Sequence, residues 1–165
     1  MLDVHTPLGQ DAIKWGRRGE KAFLEAHPSV ALVETDQDKP ADVDGIVYKA
    51  CEGGFITAVI ETKARYYSIE KLMGDYGWEM LINADKLEKG AKLAIALKCN
   101  FAVLLVLVPS RLTLALKITG EDGEVIPKVR FEMEKMRATT NGGTVLREVA
   151  YINMKQARQY KIKSL

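Results

Sequence analysis

The sequence predicts an α/β fold in the mixed (α+β) sense: one mixed sheet with helices packed on it and further β-hairpins toward the C-terminal side. Three observations lead there. A helix-period segment opens the chain, three short strand-like runs follow, and a long helical stretch then precedes an unbroken apolar run, Phe101 to Val108. The glycine pairs Gly53-Gly54 and Gly142-Gly143 mark turns between extended runs. A length of 165 residues corresponds to about one domain. A composition that is 47% hydrophobic and 28% charged excludes disorder and coiled coil as the main character.

Residues 8–27 read as the first helix. Thr6 offers a capping oxygen, Pro7 suits the first helical position and Pro28 stops the helix. Ala12, Ile13, Gly16, Phe23 and Leu24 share one face, and Glu20 falls on that same stripe. A carboxylate there is costly unless it is paired or meets a cation. Residues 29–35, 44–50 and 55–63 read as strands. The third carries no charge from Phe55 to Ile60 and is apolar on both faces, as a central strand should be. Arg65, Tyr66 and Tyr67 lie in a loop at 64–68. Residues 69–98 read as helical, with a break near Gly74 to Gly77. Residues 101–108 and 112–119 are the next strands, and 125–136 and 144–154 flank a turn at Asn141-Gly142-Gly143. Residues 155–165 read as a basic tail. The result is one domain over 1–165, with a core at about 8–110 and a β-rich extension at about 111–165.

Charge and composition exclude several classes. The net charge of +2 is too balanced to announce a nucleic-acid binder, but it is unevenly spread: residues 1–60 hold 6 basic and 10 acidic groups, and 111–165 hold 11 and 6. One region therefore suits a cation and another an anion. No apolar run approaches the roughly 20 residues of a membrane span, so no membrane partner is expected. The opening Met-Leu-Asp-Val-His has no signal-peptide pattern, which points to an intracellular protein. Cys51 and Cys99 read as free core thiols, and His5 and His27 as surface residues.

The chemistry gathers at one hairpin. With a two-residue Gly53-Gly54 loop, Glu52 pairs with Phe55, Ile46 lies opposite Glu61, and Asp44 lies opposite Lys63. Opposed residues share a face, so Asp44, Glu61 and Lys63 converge while Thr62 points away. Asp42 is a rival to Asp44. A loop longer by one residue would separate Asp44 from Glu61. Two close carboxylates suit a hard divalent cation such as Mg²⁺, and a lysine beside them can orient a water or neutralise a phosphate. These are the parts of a phosphodiester hydrolase.

Pro40-Ala41-Asp42-Val43-Asp44-Gly45-Ile46-Val47 followed by Ile60-Glu61-Thr62-Lys63 resembles the PD-(D/E)XK nuclease superfamily, the restriction-endonuclease-like fold shared with phage and Holliday-junction-resolvase-like nucleases. Ala41 interrupts the family's Pro-Asp pair. The resemblance implies an α-β-β-β-α-β core and a Mg²⁺-dependent deoxyribonuclease, with Mn²⁺ able to substitute. It implies metal ligation by Asp44, Glu61, the Thr62 backbone carbonyl and Glu20, with Lys63 in catalysis. Arg65 and Lys86 are the candidate DNA contacts. Endonuclease and exonuclease action are both consistent with it, and concerted cutting of two strands would call for a homodimer. The alternative reading is a non-catalytic nucleic-acid-binding or assembly protein that keeps the fold.

Overall fold

The computed structural model describes residues 4–36, 39–51, 53–137 and 142–163. Helix α1 (Pro7–Glu25) begins as the sequence dictates: the Thr6 hydroxyl accepts the Gly9 amide at 3.1 Å and Pro7 occupies the first turn. It is followed by β1 (Val30–Glu34), β2 (Gly45–Lys49) and β3 (Ile56–Arg65). A short helix α2 (Ile69–Gly74), strand β4 (Glu79–Asn83) and helix α3 (Ala84–Leu97) come next, and then β5 (Asn100–Leu107) and β6 (Leu112–Thr119). Strands β7 (Val129–Arg137), β8 (Thr144–Asn153) and β9 (Arg158–Lys161) complete the chain.

These strands form two sheets. The larger has the order β1-β2-β3-β5-β6-β9; β3 and β5 run parallel and every other neighbouring pair runs antiparallel. The smaller has the order β4-β8-β7 and is antiparallel throughout. The fold is therefore mixed α+β, as expected. The parallel β3–β5 pair needs a crossover, which the segment containing α2, β4 and α3 supplies. The central strands β3 and β5 are covered on both faces, as their continuous apolar sequences require.

Helix α1 packs on the face of β3 that carries Ile60, Thr62 and Ala64, and α3 on the face that carries Val59 and Glu61. Close approach depends on glycine at two points. A Cβ on Gly19 would lie 2.3 Å from Val106, and one on Gly90 would sit 2.5–2.8 Å above the Phe101 ring. The principal core runs from Val59, Phe101 and Leu105 through Leu72, Leu87 and Ala94 to Met80, Ala150 and Ile152. Both sheets thus share one apolar interior.

Several expectations are corrected. Residues 69–98 are two helices with a strand between them. Gly77 and Trp78 take left-handed φ values of 54° and 68°, which turn the chain out of α2 and into β4. The 155–165 segment is not simply a tail, because β9 pairs with β6. Helix α1 ends at Glu25, and His27 donates or accepts a 2.9 Å bond with the Tyr160 hydroxyl instead of lying free on the surface. Cys99 is buried as expected, but Cys51 is exposed; both are free thiols. Asn141 and the pairing of Glu52 lie outside the described residues.

The glycines give a direct test of this packing. Gly90→Ala should lower stability by about 1–3 kcal/mol, because overpacking against a buried ring outweighs the roughly 1 kcal/mol gain in helix propensity. Gly74→Ala, whose Cβ meets nothing within 4 Å, should leave stability unchanged or raise it. Urea denaturation of both variants reads the difference.

Candidate active site

Strand β2 ends where the chemistry begins. Gly45 pairs with Ile60, the Asp44 amide donates to the Ile60 carbonyl at 2.9 Å, and the Thr62 amide donates to Asp44 Oδ2 at 2.7 Å. Asp44 therefore stands opposite Glu61, two residues from the pairing with Lys63 that a two-residue loop would give. The loop is longer than that: the last backbone bond before it runs from the Lys49 amide to the Phe55 carbonyl. Tyr48 pairs with Ile56, a register that would put Asp44 on the wrong face. A bulge between Val47 and Tyr48 shifts the ladder by one residue and restores Asp44 to the face of Glu61.

Two further groups fix Asp44. Thr35 donates from its hydroxyl to the carbonyls of Val43 and Asp44, at 2.8 and 3.0 Å, and its amide donates to the Asp44 carbonyl at 2.9 Å. Lys86 of α3 donates to the Ala41 carbonyl at 2.7 Å. Val43 is buried while Asp42 is exposed. Asp44, and not Asp42, lines the adjoining cleft.

Glu61 is 1% exposed. Its Oε1 accepts from Lys63 Nζ at 2.5 Å, and Lys86 Nζ lies 3.8 Å from its Oε2. That Oε2 is buried and has no hydrogen-bond partner. Burial raises the Glu61 carboxyl above its ordinary range; Lys63 opposes the rise, Asp44 adds to it, and Lys86 opposes it. The lysines thus offset part, not all, of the cost of a buried carboxylate.

Glu20 reaches the same strand from the other side. Its Oε1 accepts the Thr62 hydroxyl at 2.7 Å, and its Oε2 is buried without a partner. Burial raises its carboxyl to about 7; the Thr62 bond opposes this, while Glu34 and Asp44 add to it. Glu20 is therefore bound to the back of β3, not placed on the face of Glu61 and Lys63. Among the described residues no three His, Cys, Asp or Glu side chains gather into a group that could hold a metal ion. Asp44 and Glu61 stand together on one face of β3, and Glu20 meets the strand through the Thr62 hydroxyl while lining the same cleft.

The donor chemistry still fits a divalent cation at the front. Asp44 has committed one oxygen to the Thr62 amide, and Glu61 has an orphaned one. Within a strand, the N–H and C=O of one residue project to the same edge. Because the Thr62 amide meets Asp44, the Thr62 carbonyl leaves β3 toward that same edge, past the end of the β2 ladder. One or two carboxylates with a carbonyl and waters are an ordinary Mg²⁺ environment.

These groups line a cleft of about 840 Å³ between α1, the residues Asp36, Lys39, Pro40 and Ala41, α3 and the far end of β7. Lys39, Lys63, Lys86, Lys89 and Arg137 bring positive charge to it. Arg65 lines it too, but spends NH2 on the Leu81 carbonyl and NH1 on that of Ala64, both at 3.1 Å. It ties β3 to β4 and is poorly placed as a free phosphate contact. Tyr66 bonds Asp11 at 2.7 Å, and Tyr67 packs against Tyr76 with the rings tilted by 58°. Sequence reasoning missed Thr35 and the Glu20–Glu34 proximity, since nothing in the strand pattern of residues 29–35 marks either.

Comparison of the chain with family models, with curated proteins and with solved structures returned no match.

The state of Glu20 sets a pH signature in the metal-free protein. Its folded-state proton affinity exceeds the ordinary value near 4.5, so the protonated group's contribution to stability is full below about 4.5 and is lost as pH rises through about 7. Glu20→Gln should flatten that decline and stabilise the protein at pH 8, by on the order of 2–3 kcal/mol. Urea unfolding at pH 5 and pH 8 checks it; equal slopes with pH for both proteins would contradict it.

Proposed function

We propose that the protein hydrolyses DNA phosphodiester bonds with Mg²⁺ as its cofactor, through a PD-(D/E)XK-type site on a restriction-endonuclease-like core, as an intracellular enzyme. One observation carries the reading: a nearly inaccessible glutamate with an unpartnered oxygen stands opposite an aspartate, with two ammonium groups beside it. A protein that needed only stability would be better served by apolar residues there. The element order α1-β1-β2-β3-α3-β5 supports the core assignment, with α2 and β4 as an insertion. Among the described residues no helix is long and apolar enough to cross a membrane.

In this reading Asp44, Glu61 and the Thr62 carbonyl hold the cation. Bound there, Mg²⁺ (or Mn²⁺) would polarise a phosphoryl oxygen and acidify a water. The protein's own groups do the rest. Asp44 is held in place by Thr62 and Thr35, so it needs little reorganisation on binding. Lys63 releases Glu61 and turns its ammonium to the attacking water or to the charge that develops on phosphorus. Lys86 keeps the Ala41 loop closed against α3 and places a second positive charge near the scissile phosphate. Glu20 acts through Thr62, fixing the strand on which the acid and the lysine stand. Lys39, Lys89 and Arg137 give the cleft affinity for the phosphate backbone, and that affinity weakens with salt.

A panel of labelled linear, circular, single-stranded and branched DNAs, incubated with Mg²⁺ and with EDTA, tests the proposal. Metal-dependent cleavage is expected. Asp44→Ala and Glu61→Ala should abolish it while leaving apo stability equal or higher, because each removes a repelling carboxylate. DNA retention in the absence of any cleavage would favour the non-catalytic alternative.

Lys63→Ala should lower turnover by at least about 100-fold, within the usual range for loss of a general acid–base group, and change DNA affinity only modestly. Lys63→Arg should not restore the rate, since a guanidinium has a different shape and stays protonated. Single-turnover rates at saturating DNA, with binding measured in Ca²⁺, separate the two effects. Near wild-type turnover in Lys63→Ala would remove the lysine from the mechanism.

A further inference from the structure

Strand β7 is an open edge. It lies at the end of the β4-β8-β7 order, so one side of its ladder meets β8 and, among the described residues, the other meets no strand. Register with β8 runs from Val129↔Ile152 to Arg137↔Thr144. The Asn153 amide donates to the Lys128 carbonyl at 3.0 Å, which carries the same register back to Lys128. Ladder alternation then turns the backbone groups of even-numbered residues toward β8, and those of Val129, Phe131 and Met133 outward.

The side chains along this edge are unusual for one left open. Phe131 and Met133 are each more than half exposed on the face that continues the core. On the opposite face Arg130 is fixed by Glu79, by Glu132 and by stacking 3.9 Å above the Tyr151 ring, and Glu134 accepts the Tyr151 hydroxyl at 2.9 Å. Edges are usually guarded by charges that repel a second strand. Here two positive residues, Lys128 and Arg130, precede two negative ones, Glu132 and Glu134, so that the strand complements itself when reversed.

The geometry points to β7 as an interface with a second copy of this chain, paired antiparallel about a two-fold axis through Phe131. In that register Phe131 faces its own copy, and Val129 faces Met133 of the other chain. Arg130 then faces Glu132, and Lys128 faces Glu134. Over residues 128–134 every apolar residue meets an apolar one and every charge meets its opposite. The axis falls between outward-facing backbone groups, so the amides and carbonyls of Val129, Phe131 and Met133 all gain partners. Moving the axis to residue 132 sets Glu132 against its own copy, and moving it to residue 133 sets Glu132 against Glu134. The contact is isologous, so it closes at a dimer. It does not depend on the chemistry of the cleft.

Sedimentation velocity on the full chain, over a concentration series reaching the hundred-micromolar range, tests this. A concentration-dependent dimer is expected. Phe131→Lys places two cations on the axis and should weaken it roughly thirty-fold or more, the scale of a central hot spot. Lys128→Glu should also weaken it, and Lys128→Glu combined with Glu134→Lys should recover it. Circular dichroism confirms that each variant is folded; should Phe131→Lys misfold, the charge exchange still decides. A wild-type chain that stays monomeric throughout overturns the proposal. So does a dimer that is indifferent to both single variants, which would place the contact elsewhere.

Discussion

The position of the Glu61 carboxylate constrains much of what surrounds it. A charge with 1% exposure at the end of a central strand is costly unless its surroundings answer it. Lys63 answers on the same strand and Lys86 from α3. Lys86 in turn holds the Ala41 carbonyl, which draws the segment before β2 against α3. Thr35 closes the same segment from β1's end. Asp44 is therefore located by groups from three directions, and each is tied to the need to accommodate one buried acid. Removing a lysine while leaving Glu61 would expose more of the desolvation cost, whereas removing the acid would relieve it.

The two faces of β3 divide the polar work. Glu61 and Lys63 point toward α3 and the cleft, and Thr62 points toward α1, where it donates to Glu20. The helix and strand are close here: a Cβ at Gly16 would sit 3.4 Å from the Thr62 methyl, in van der Waals contact. One strand end thus bridges two carboxylate environments without merging them. Asp44 links them electrostatically, because it raises the proton affinity of both Glu20 and Glu61.

Much of this arrangement is legible in the sequence, and the failures have physical causes. Residue type and period place α1, the first three strands, β5 and β6 within a residue or two, since each has a strong stripe or a long apolar run. The convergence of Asp44, Glu61 and Lys63 follows from strand parity. The register does not follow, because the loop is longer than two residues and the Val47–Tyr48 bulge shifts the ladder by one, which restores the parity but leaves Asp44 opposite Glu61 rather than Lys63. Bulges leave no mark in a pattern of alternating residues. Glu20 lies on the apolar stripe as read, but which face of β3 the helix covers is a tertiary fact. Strand β4 was hidden by the helical periods on either side of it, although Met80 and Ile82 alternate inward as a strand should. The turn that frees it uses Trp78 at positive φ, a conformation that no local preference of tryptophan announces. Strand β9 is short and charged and owes its place to the β6 edge alone.

The parallel pairing of β3 with β5 also governs when the acid pair comes into being during synthesis. By the time residue 65 is made, α1, β2 and β3 exist as sequence, and Asp44, Glu61 and Lys63 with them. The surroundings that bury Glu61 arrive only with α3 and β5, which extend to residue 107. A nascent or clipped chain that stops short of that point lacks the elements that bury Glu61. Long-range closure is slow compared with hairpin formation. The acid pair thus reaches its buried setting only after α3 and β5 have been made and have closed on β3.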